Sequence, residues 1–301
     1  MSSVPLIAEV SSNHGRDLGR ATRFIEAAAD AGCTGVKFQQ FRIDELFAPE
    51  ALARDPKLRA RREWELPESF DADLADAARD CGVQYSSTPF YMDAIGVLEP
   101  HVDFFKISSY QVLWLDFLRE VARTGKPVVL ATGMATAPEV TRAVRALQDG
   151  GCARPTLLHC VSLYPTPPEQ ANLRAIETLR SAYDLPVGWS DHTADPEVVL
   201  RAVRRHEASM VEFHMDLDRK GAEYGFGHCW LPSAIQEVIT QLEEGTLDAE
   251  TERRLNAPSE MDGTGKKQPR PDEKEERLWR SDPFDGLRPI RVHRGNLAIP
   301  A

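Results

Sequence analysis

Short apolar runs rich in β-branched residues alternate with longer amphipathic stretches along most of the chain. Because such runs are typical of buried strands, they predict eight strands, at 6–12, 35–41, 83–89, 104–109, 127–133, 156–162, 186–192 and 209–215. The amphipathic stretches predict a helix after each strand, at 17–31, 68–80, 91–98, 114–124, 136–149, 170–183, 195–206 and 232–244. Turn-forming segments such as AGC, TGKP and GGCARP separate these units.

Eight consecutive strand–helix units predict a parallel sheet, because each helix returns the chain to the edge where the next strand begins. Eight units in about 250 residues are typical of a closed (β/α)8 barrel. An open doubly wound sheet is the competing architecture, but no GxGxxG motif follows the first strand. The pattern therefore favours the α/β class and a (β/α)8 TIM barrel.

Two segments lie outside this repeat. Residues 42–67 form a charged insertion after the second strand, for which we predict a lid or an edge of the site. Residues 246–301 are rich in charge and proline and hold too few apolar residues for a core of their own. We therefore expect a catalytic barrel domain over 1–245 and a C-terminal extension over 246–301 that packs on it without forming a separate domain.

Composition and charge narrow the functional classes. The chain is 42% hydrophobic and 28% charged, as in soluble globular proteins, and no stretch approaches the roughly 18 apolar residues of a membrane span. The opening MSSVPLIAEV has no basic region or cleavage site, so we expect a cytoplasmic protein. A net charge of −11 argues against nucleic-acid binding. Five cysteines without a CxxC pair indicate reduced thiols.

Polar side chains end the predicted strands, which is where the functional groups of TIM barrels lie. His192 and His214 end the last two strands, and closure of the barrel would bring Glu9 of the first strand beside them. Two neutral imidazoles with positions left open for water and substrate suit a catalytic divalent metal, and Mn²⁺, Mg²⁺ or Co²⁺ fits as well as zinc. The alternative is that each histidine only caps its strand through a hydrogen bond.

Two lysines, Lys37 and Lys106, lie inside apolar strands, where an ammonium group is costly unless it meets a counter-charge. With the hydroxyl groups of Thr88, Ser109 and Ser190, they could hold a small phosphorylated carboxylate. Structural salt bridges to nearby carboxylates such as Glu9 or Asp103 are one alternative. A Schiff base on one of the lysines, as in a class I aldolase, is another.

Nine segments resemble, in order, the sialic acid synthase family: IAEVSSNHG, VKFQQF, SSTPF, FFKISS, ATGM, LLHCVSLYPTP, NLRAI, PVGWSDHT and VEFHMDLD. The similarity runs from about residue 6 to residue 219 and continues more weakly to 290. Several motifs in register make the resemblance specific, above all LLHC and YPTP followed by SDHT. It implies a barrel that condenses phosphoenolpyruvate with an amino-sugar aldehyde to give a 3-deoxy-2-keto, nonulosonate-like acid and phosphate.

The resemblance also implies roles for single residues. His192 and His214 would hold the metal, usually Mn²⁺, and Glu9 would handle the water that attacks the intermediate. The phosphoenolpyruvate contacts would come from Lys37, Thr88, Lys106, Ser109 and Ser190. The aldehyde acceptor would be contacted by Gln39, Gln111, Ser162 and Tyr164.

Four positions depart from the family pattern on the acceptor side. Gln111 stands where the family has an acid, Ser162 replaces an asparagine, Ala131 replaces a serine, and Gly227 replaces an aspartate. Most of these changes remove a charge or a hydrogen-bonding group that an amino sugar would use. The family's C-terminal antifreeze-like domain, whose arginine reaches the partner subunit's site in a swapped dimer, is also not expected. A homodimer therefore remains an open expectation.

Three further functional hypotheses stay open. The same chemistry could act on a non-sugar or phosphorylated aldehyde from a specialised pathway, as the replacements at Gln111 and Gly227 suggest. A Schiff-base pyruvate aldolase would use Lys37 or Lys106 instead of a metal. A non-catalytic relative would have lost turnover together with its acceptor groups, although the retention of both histidines and both lysines argues against it.

Overall fold

A computed structural model describes residues 4–243 and 247–295 of the chain. Within these residues, eight parallel strands close into a barrel in sequence order. They are β1 (Leu6–Glu9), β2 (Gly35–Gln40), β3 (Gln84–Pro89), β4 (Phe104–Ile107), β5 (Val128–Ala131), β6 (Thr156–His159), β7 (Val187–Asp191) and β8 (Val211–His214). The (β/α)8 TIM barrel predicted from the alternation of elements is confirmed.

Helices follow the strands across the described part of the chain. They are α1 (Leu18–Asp30), α2 (Ile43–Leu46), α3 (Pro49–Arg54), α4 (Pro56–Ala60), α5 (Asp71–Asp80), α6 (Ala94–Leu98), α7 (Leu115–Arg123), α8 (Ala137–Asp149), α9 (Ala175–Tyr183), α10 (Pro196–Arg204), α11 (Pro232–Glu243), α12 (Ala249–Asn256) and α13 (Arg291–Arg294). None of the described helices is long and apolar enough to cross a bilayer.

Most strands are shorter than the apolar runs from which they were predicted, and they end before those runs do. The residues after β1 turn into a short 3₁₀ helix at Ser11–His14, and those after β4 do the same at Ser109–Gln111. The helix predicted at 170–183 begins only at Ala175, because Pro168–Gln170 forms a separate turn. The last residue predicted for the helix at 232–244 lies outside the described residues. The ends of the apolar runs thus form the loops at the mouth of the barrel.

Helix α1 shows why these segments fold as they do. Its buried residues, Ala21, Phe24, Ile25 and Ala28, recur every three or four positions and form one apolar face. The helix begins after Asp17, whose side chain accepts a hydrogen bond from the Arg20 amide and so satisfies an otherwise unpaired donor. The apolar face packs against the outer surface of the barrel.

Alternate strand residues face the barrel interior and form two layers. The lower layer is apolar and includes Ile7, Phe104, Val129 and Leu158. The upper layer, one inward position further along the strands, is polar and includes Glu9, Lys37, Lys106, Ser190 and Glu212. Because the lower layer closes the interior, the polar layer forms the floor of an open mouth.

The insertion at 42–67 folds into α2, α3 and α4 around a small apolar cluster that includes Ile43, Phe47 and Leu52. The C-terminal extension pairs with it. The Arg288 amide donates to the Leu46 carbonyl, and the Arg288 carbonyl accepts from the Ala48 amide, both at 2.8 Å. These two bonds bring the extension over the mouth of the barrel.

A buried ion pair also attaches the extension to the barrel wall. Arg201 of α10 donates to Asp262 at 2.9 Å, and both side chains are almost completely buried. The boundary expected between residues 245 and 246 falls outside the described residues.

Candidate active site

A cavity of about 440 Å³ opens at the C-terminal ends of the strands. Its lining includes most of the side chains that the sequence singled out: Glu9, Lys37, Gln39, Thr88, Lys106, Ser109, Tyr164, Ser190, His192 and His214. A cavity of this size matches the pockets that enclose small organic ligands. Strand alternation places those side chains that lie within strands, such as Glu9, Lys37 and Lys106, whereas Ser109, Tyr164 and His192 lie in the loops that follow their strands.

Gln111 and Ser162 are buried outside the cavity lining. The Gln111 Nε2 donates to the Pro89 carbonyl at 2.7 Å, and its Oε1 accepts from the Ser108 amide at 3.2 Å. The Ser162 amide donates to Glu273 Oε1 at 2.8 Å. Both residues hold loops at the mouth, so an effect of either on an acceptor would pass through those loops.

Lys37 is completely buried and forms an ion pair with Glu9, while its Nζ donates to Thr88 Oγ1 at 3.2 Å. The salt bridge to Glu9 that the sequence offered as an alternative is therefore present, whereas Asp103 accepts from the Tyr85 amide instead. Burial lowers the pKa of Lys37 to about 7, although the Glu212 carboxylate acts in the opposite direction.

Glu212 connects the two lysines. Its carboxylate lies 3.3 Å from the Lys106 Nζ and 3.9 Å from the Lys37 Nζ, and it accepts a hydrogen bond from Ser190 Oγ at 3.1 Å. Burial alone would raise the pKa of Glu212, but the two lysines hold it below its ordinary value. The floor of the cavity is thus a compensated group of two cations and two carboxylates.

Ser109 lines the cavity wall beside this floor, and the Gly133 backbone packs behind it. The Gly133 amide donates to Ser109 Oγ at 2.8 Å, and Ser109 Oγ lies 3.3 Å from Cys160 Sγ. A Cβ at position 133 would lie 2.4 Å from Ser162 Oγ and 2.9 Å from Ser109 Oγ. Only glycine therefore lets this backbone approach the hydroxyl groups so closely.

The two predicted histidines meet at the opposite side of the mouth. The rings of His192 and His214 are 5.4 Å apart, and the ring of Tyr164 lies 4.2 Å from that of His192. The His192 Nδ1 faces the Val161 carbonyl at 2.7 Å, which favours a proton on Nδ1 and leaves Nε2 as the acceptor atom. Burial lowers the pKa of both histidines, which favours the neutral form that binds metals.

Of the two predicted histidines, only His214 belongs to the group of three described side chains that could hold a metal ion. Ligand atoms of His214, Glu223 and His228 all lie within 4.8 Å of one another. Both ring nitrogens of His228 are buried without a hydrogen-bond partner among the described residues. Burial alone would raise the pKa of Glu223, but the neighbouring imidazoles hold it well below its ordinary value. This donor set of two imidazoles and an ionised carboxylate fits a divalent cation.

Sequence reasoning missed three of these residues, although each left a trace in the pattern. Glu212 is a charged residue inside an apolar strand, two positions before His214, so alternation places both side chains inward. Glu223 and His228 lie in the loop that follows β8, where TIM barrels carry functional residues. The spacing of a loop does not fix where its side chains point.

The cavity also has walls from outside the barrel. Arg61 and Trp64 of the insertion and Glu276 and Arg288 of the extension all line it. The Tyr110 hydroxyl donates to Glu276 Oε2 at 2.7 Å, which fixes the extension against the loop after β4. No sequence pattern indicated these extension residues, because their position depends on how an irregular segment crosses the mouth.

Comparisons with known proteins agree with this architecture. The NeuB family model matches residues 24–251. The N,N'-diacetyllegionaminic acid synthase of Campylobacter jejuni is 33% identical over 257 residues, which cover 81% of this chain and 77% of that protein. The solved structure of the spore coat polysaccharide biosynthesis protein SpsE of Bacillus subtilis superposes with a TM-score of 0.79 at 29% identity, covering 92% of this chain and 77% of that one.

A second solved structure is similar over nearly its whole length. It is the N-acetylneuraminic acid synthetase of Leptospira borgpetersenii in complex with citrate, with a TM-score of 0.75 and 31% identity. The superposition covers 91% of this chain and 90% of that one. The residues matched by the family model, 24–251, include β2 to β8.

Proposed function

The chain belongs to the NeuB family and is a synthase of that family, and from this membership we propose the reaction that it catalyses. It condenses phosphoenolpyruvate with an aldehyde, an aldose or an amino sugar, to give a 3-deoxy-2-keto, nonulosonate-like acid and phosphate. The observation that supports this most strongly is that two buried lysines and a cluster of histidines share one cavity.

Phosphoenolpyruvate would bind at the lysine floor. Its carboxylate and phosphate need cationic and hydroxyl donors, and Lys37 and Lys106 are both buried where such interactions are strong. The hydroxyl groups would come from Thr88, Ser109 and Ser190, which line the same cavity. Ser190 and both lysines now contact Glu212 or Glu9, so a bound anion would exchange places with the protein's own carboxylates.

His192 and His214 would hold the metal. The Glu223 carboxylate and the ring of His228, whose nitrogens form no hydrogen bond with the described residues, support a divalent ion at this side of the mouth. A bound Mn²⁺, or Mg²⁺ or Co²⁺ in its place, would supply Lewis-acid activation of the aldehyde oxygen. Gln39 and Tyr164 line the cavity beside these histidines and would orient the acceptor.

The chain's own residues would then guide the condensation. Carbon C3 of phosphoenolpyruvate attacks the aldehyde carbon, and the aldehyde oxygen takes up a proton from solvent to become a hydroxyl group. The lysines stabilise the carboxylate while positive charge develops at C2. Glu9 contacts Lys37 and accepts hydrogen bonds from the Ser11 amide and, at 3.4 Å, from Gln39. Glu9 orients the water that adds to C2 and accepts its proton. The C2–O bond to phosphate then breaks, and the phosphate leaves.

A metal-removal experiment tests this reaction. Purified protein with phosphoenolpyruvate and N-acetylmannosamine, followed by a panel of aldoses, is expected to release phosphate, and EDTA or His214→Ala is expected to abolish the release. Calorimetric titration with Mn²⁺ provides a second readout, in which His214→Ala loses binding. His101→Ala, outside the cavity lining, is the matched control and should behave as wild type. Full turnover after complete metal removal would contradict the proposal.

A second candidate reaction is supported by one observation. The pKa of Lys37, lowered to about 7 by burial, is what a Schiff-base lysine needs in order to react as a free amine. If the protein is a pyruvate aldolase, borohydride reduction in the presence of pyruvate would attach pyruvate covalently to Lys37 or Lys106. Failure to trap while phosphate is released from phosphoenolpyruvate would dismiss this alternative.

We also propose a cytoplasmic location and a homodimer. All five cysteines are free, which supports a reducing compartment. Light scattering coupled to size-exclusion chromatography would measure the oligomeric state directly.

A further inference from the structure

Arg288 of the C-terminal extension is a buried cation. The residue is 9% exposed, and its Nε and Nη2 atoms have no hydrogen-bond partner within residues 4–243 and 247–295. Among the described residues, no carboxylate forms a salt bridge with it. A guanidinium group carries its charge at every physiological pH, and an unpaired charge in such a position is costly. The side chain lines the cavity, so a ligand can reach it.

Aromatic rings rather than acids surround this guanidinium. Its carbon atom lies 4.2 Å from the centre of the Tyr110 ring and 5.1 Å from that of Phe90. Burial lowers the pKa of Arg288 to about 10, although the Glu276 carboxylate acts in the opposite direction, and the group stays charged at neutral pH. Glu276 lines the same cavity, but its Oε2 accepts the hydrogen bond from the Tyr110 hydroxyl. The rings hold the planar group in place and leave its donors to a ligand.

The other buried cations of the cavity are already compensated. Lys37 pairs with Glu9, and Lys106 pairs with Glu212. Arg61, exposed at the rim, lines the same cavity and, like Arg288, forms no salt bridge with a described residue. Arg288 and Arg61 are therefore distinct from the lysine floor.

Barrel geometry places Arg288 across the mouth from the histidines. Its aromatic neighbours, Phe90 and Tyr110, follow β3 and β4, whereas His192 and His214 come from β7 and β8. In a closed barrel of eight strands these two pairs of strands lie on opposite sides. An acceptor with its aldehyde at the histidines would therefore extend its other end towards Arg288.

We propose that Arg288, with Arg61 at the rim, binds an anionic group, a phosphate or a carboxylate, at the end of the acceptor remote from its aldehyde. This inference rests on the proposed condensation. A guanidinium group can bind either oxyanion through two parallel hydrogen bonds. A neutral acceptor would leave Arg288 without a partner, so the site discriminates against it.

Matched acceptor pairs test the specificity. The pairs are N-acetylmannosamine 6-phosphate with N-acetylmannosamine, erythrose 4-phosphate with erythrose, and glucuronate with glucose. The rate of each reaction is measured as the decrease in phosphoenolpyruvate absorbance. The wild type is expected to prefer the charged member of at least one pair by about 10-fold or more in kcat/KM, and R288Q is expected to remove most of that preference. R291Q, an exposed arginine of the same extension outside the cavity lining, is the control and should retain it.

Two results would overturn the inference. One is an absence of charge preference in the wild type across all three pairs. The other is a rise in the KM for phosphoenolpyruvate in R288Q with the acceptor preference unchanged, which would assign Arg288 to the donor's phosphate. If R288Q does not fold, the preference for the charged acceptor is measured in R61Q and R288K instead. R61Q changes an exposed side chain and should reduce the preference severalfold, while wild-type preference in both variants would contradict the proposal.

A binding measurement separates this inference from the proposed reaction. Sorbitol 6-phosphate cannot react because it has no aldehyde. In calorimetry, the wild type should bind sorbitol 6-phosphate more tightly than sorbitol, whereas R288Q should bind the two ligands with similar affinity. Binding that depends on Arg288 without any turnover would support the anion subsite and reject the condensation. Turnover of neutral acceptors with no effect of R288Q on either ligand would support the condensation and reject the subsite.

Discussion

Glu212 is the residue on which the charge balance of the cavity floor depends. It lies 3.3 Å from Lys106 and 3.9 Å from Lys37, and Ser190 donates to it. Without this carboxylate, two buried ammonium groups would share the single counter-charge of Glu9. The same carboxylate would repel an anion that approaches the lysines, so it stabilises the free protein at some cost in substrate affinity.

Replacement of the Glu212 carboxylate should separate its effect on stability from its effect on phosphoenolpyruvate binding. We expect Glu212→Gln to reduce the free energy of unfolding by about 3 kcal/mol, because a buried ion pair loses one partner. Saturating phosphoenolpyruvate should restore part of that loss, since a bound anion compensates the lysines and stabilises the folded state. Urea unfolding at pH 7, with and without phosphoenolpyruvate, measures both quantities.

Glu120→Gln provides the matched control, because Glu120 forms its ion pair with Arg123 on the exposed side of α7. It should change the free energy of unfolding by less than about 1 kcal/mol, whether or not phosphoenolpyruvate is present. An equal loss in both variants would show that Glu212 does not compensate the lysines.

At the level of elements, carboxylate side chains of the extension join it to the barrel by hydrogen bonds and ion pairs with the barrel's helices and loops. Asp262 accepts from Arg201 of α10 at 2.9 Å and faces the His206 Nε2 at 2.8 Å. Glu273 accepts the amides of Met134 and Ser162 and so orders two loops of the mouth. The short, irregular elements of the extension are thus positioned by ion pairs and hydrogen bonds to the barrel more than by packing of their own.

Loss of the Asp262 charge should therefore loosen the extension. We expect Asp262→Asn to reduce the free energy of unfolding by about 3 kcal/mol, because Arg201 is completely buried and would keep only the more distant Glu197, at 3.8 Å, among its described carboxylate partners. Limited proteolysis should then cut the extension before the barrel. Urea unfolding and mass spectrometry of the fragments measure the two effects.

Asp149→Asn, at the exposed end of α8, is the corresponding control and should leave both measurements unchanged. Wild-type resistance to proteolysis in Asp262→Asn would mean that other contacts hold the extension.

For the molecule as a whole, the extension couples the stability of the fold to acidity. Glu139 of α8 accepts hydrogen bonds from Arg277 and Arg280 of the extension. Burial by itself would raise the pKa of Glu139, but the Thr136 amide and the two arginines together lower it to about 2. The lowered pKa means that the ionised carboxylate stabilises the folded state.

The sign of the pH dependence follows from that shift. The contribution of Glu139 is complete above its ordinary pKa of 4.5 and is lost as the pH falls towards about 2. We expect the free energy of unfolding of the wild type to fall over this interval more steeply than that of Glu139→Gln. Guanidinium chloride unfolding between pH 2.5 and 7 measures the difference. Parallel profiles for the two proteins would contradict the assignment.

The sequence by itself determined the barrel and the level at which its polar residues converge. Strand alternation and helix periodicity are local properties, so the eight units, and with them the places of Lys37, Lys106, His192 and His214, could be predicted. Closure in sequence order then made Glu9 a neighbour of His214, as expected.

Only the tertiary structure decided which groups pair and what closes the mouth. The contact of Glu212 with both lysines depends on the register between strands, and the group of His214, Glu223 and His228 depends on the path of a loop. The burial of Gln111 outside the cavity lining and the arrival of Arg288 in the cavity likewise follow from segments without periodicity. Periodicity fixes the direction of a side chain within a strand or helix, whereas in irregular segments long-range packing alone does so.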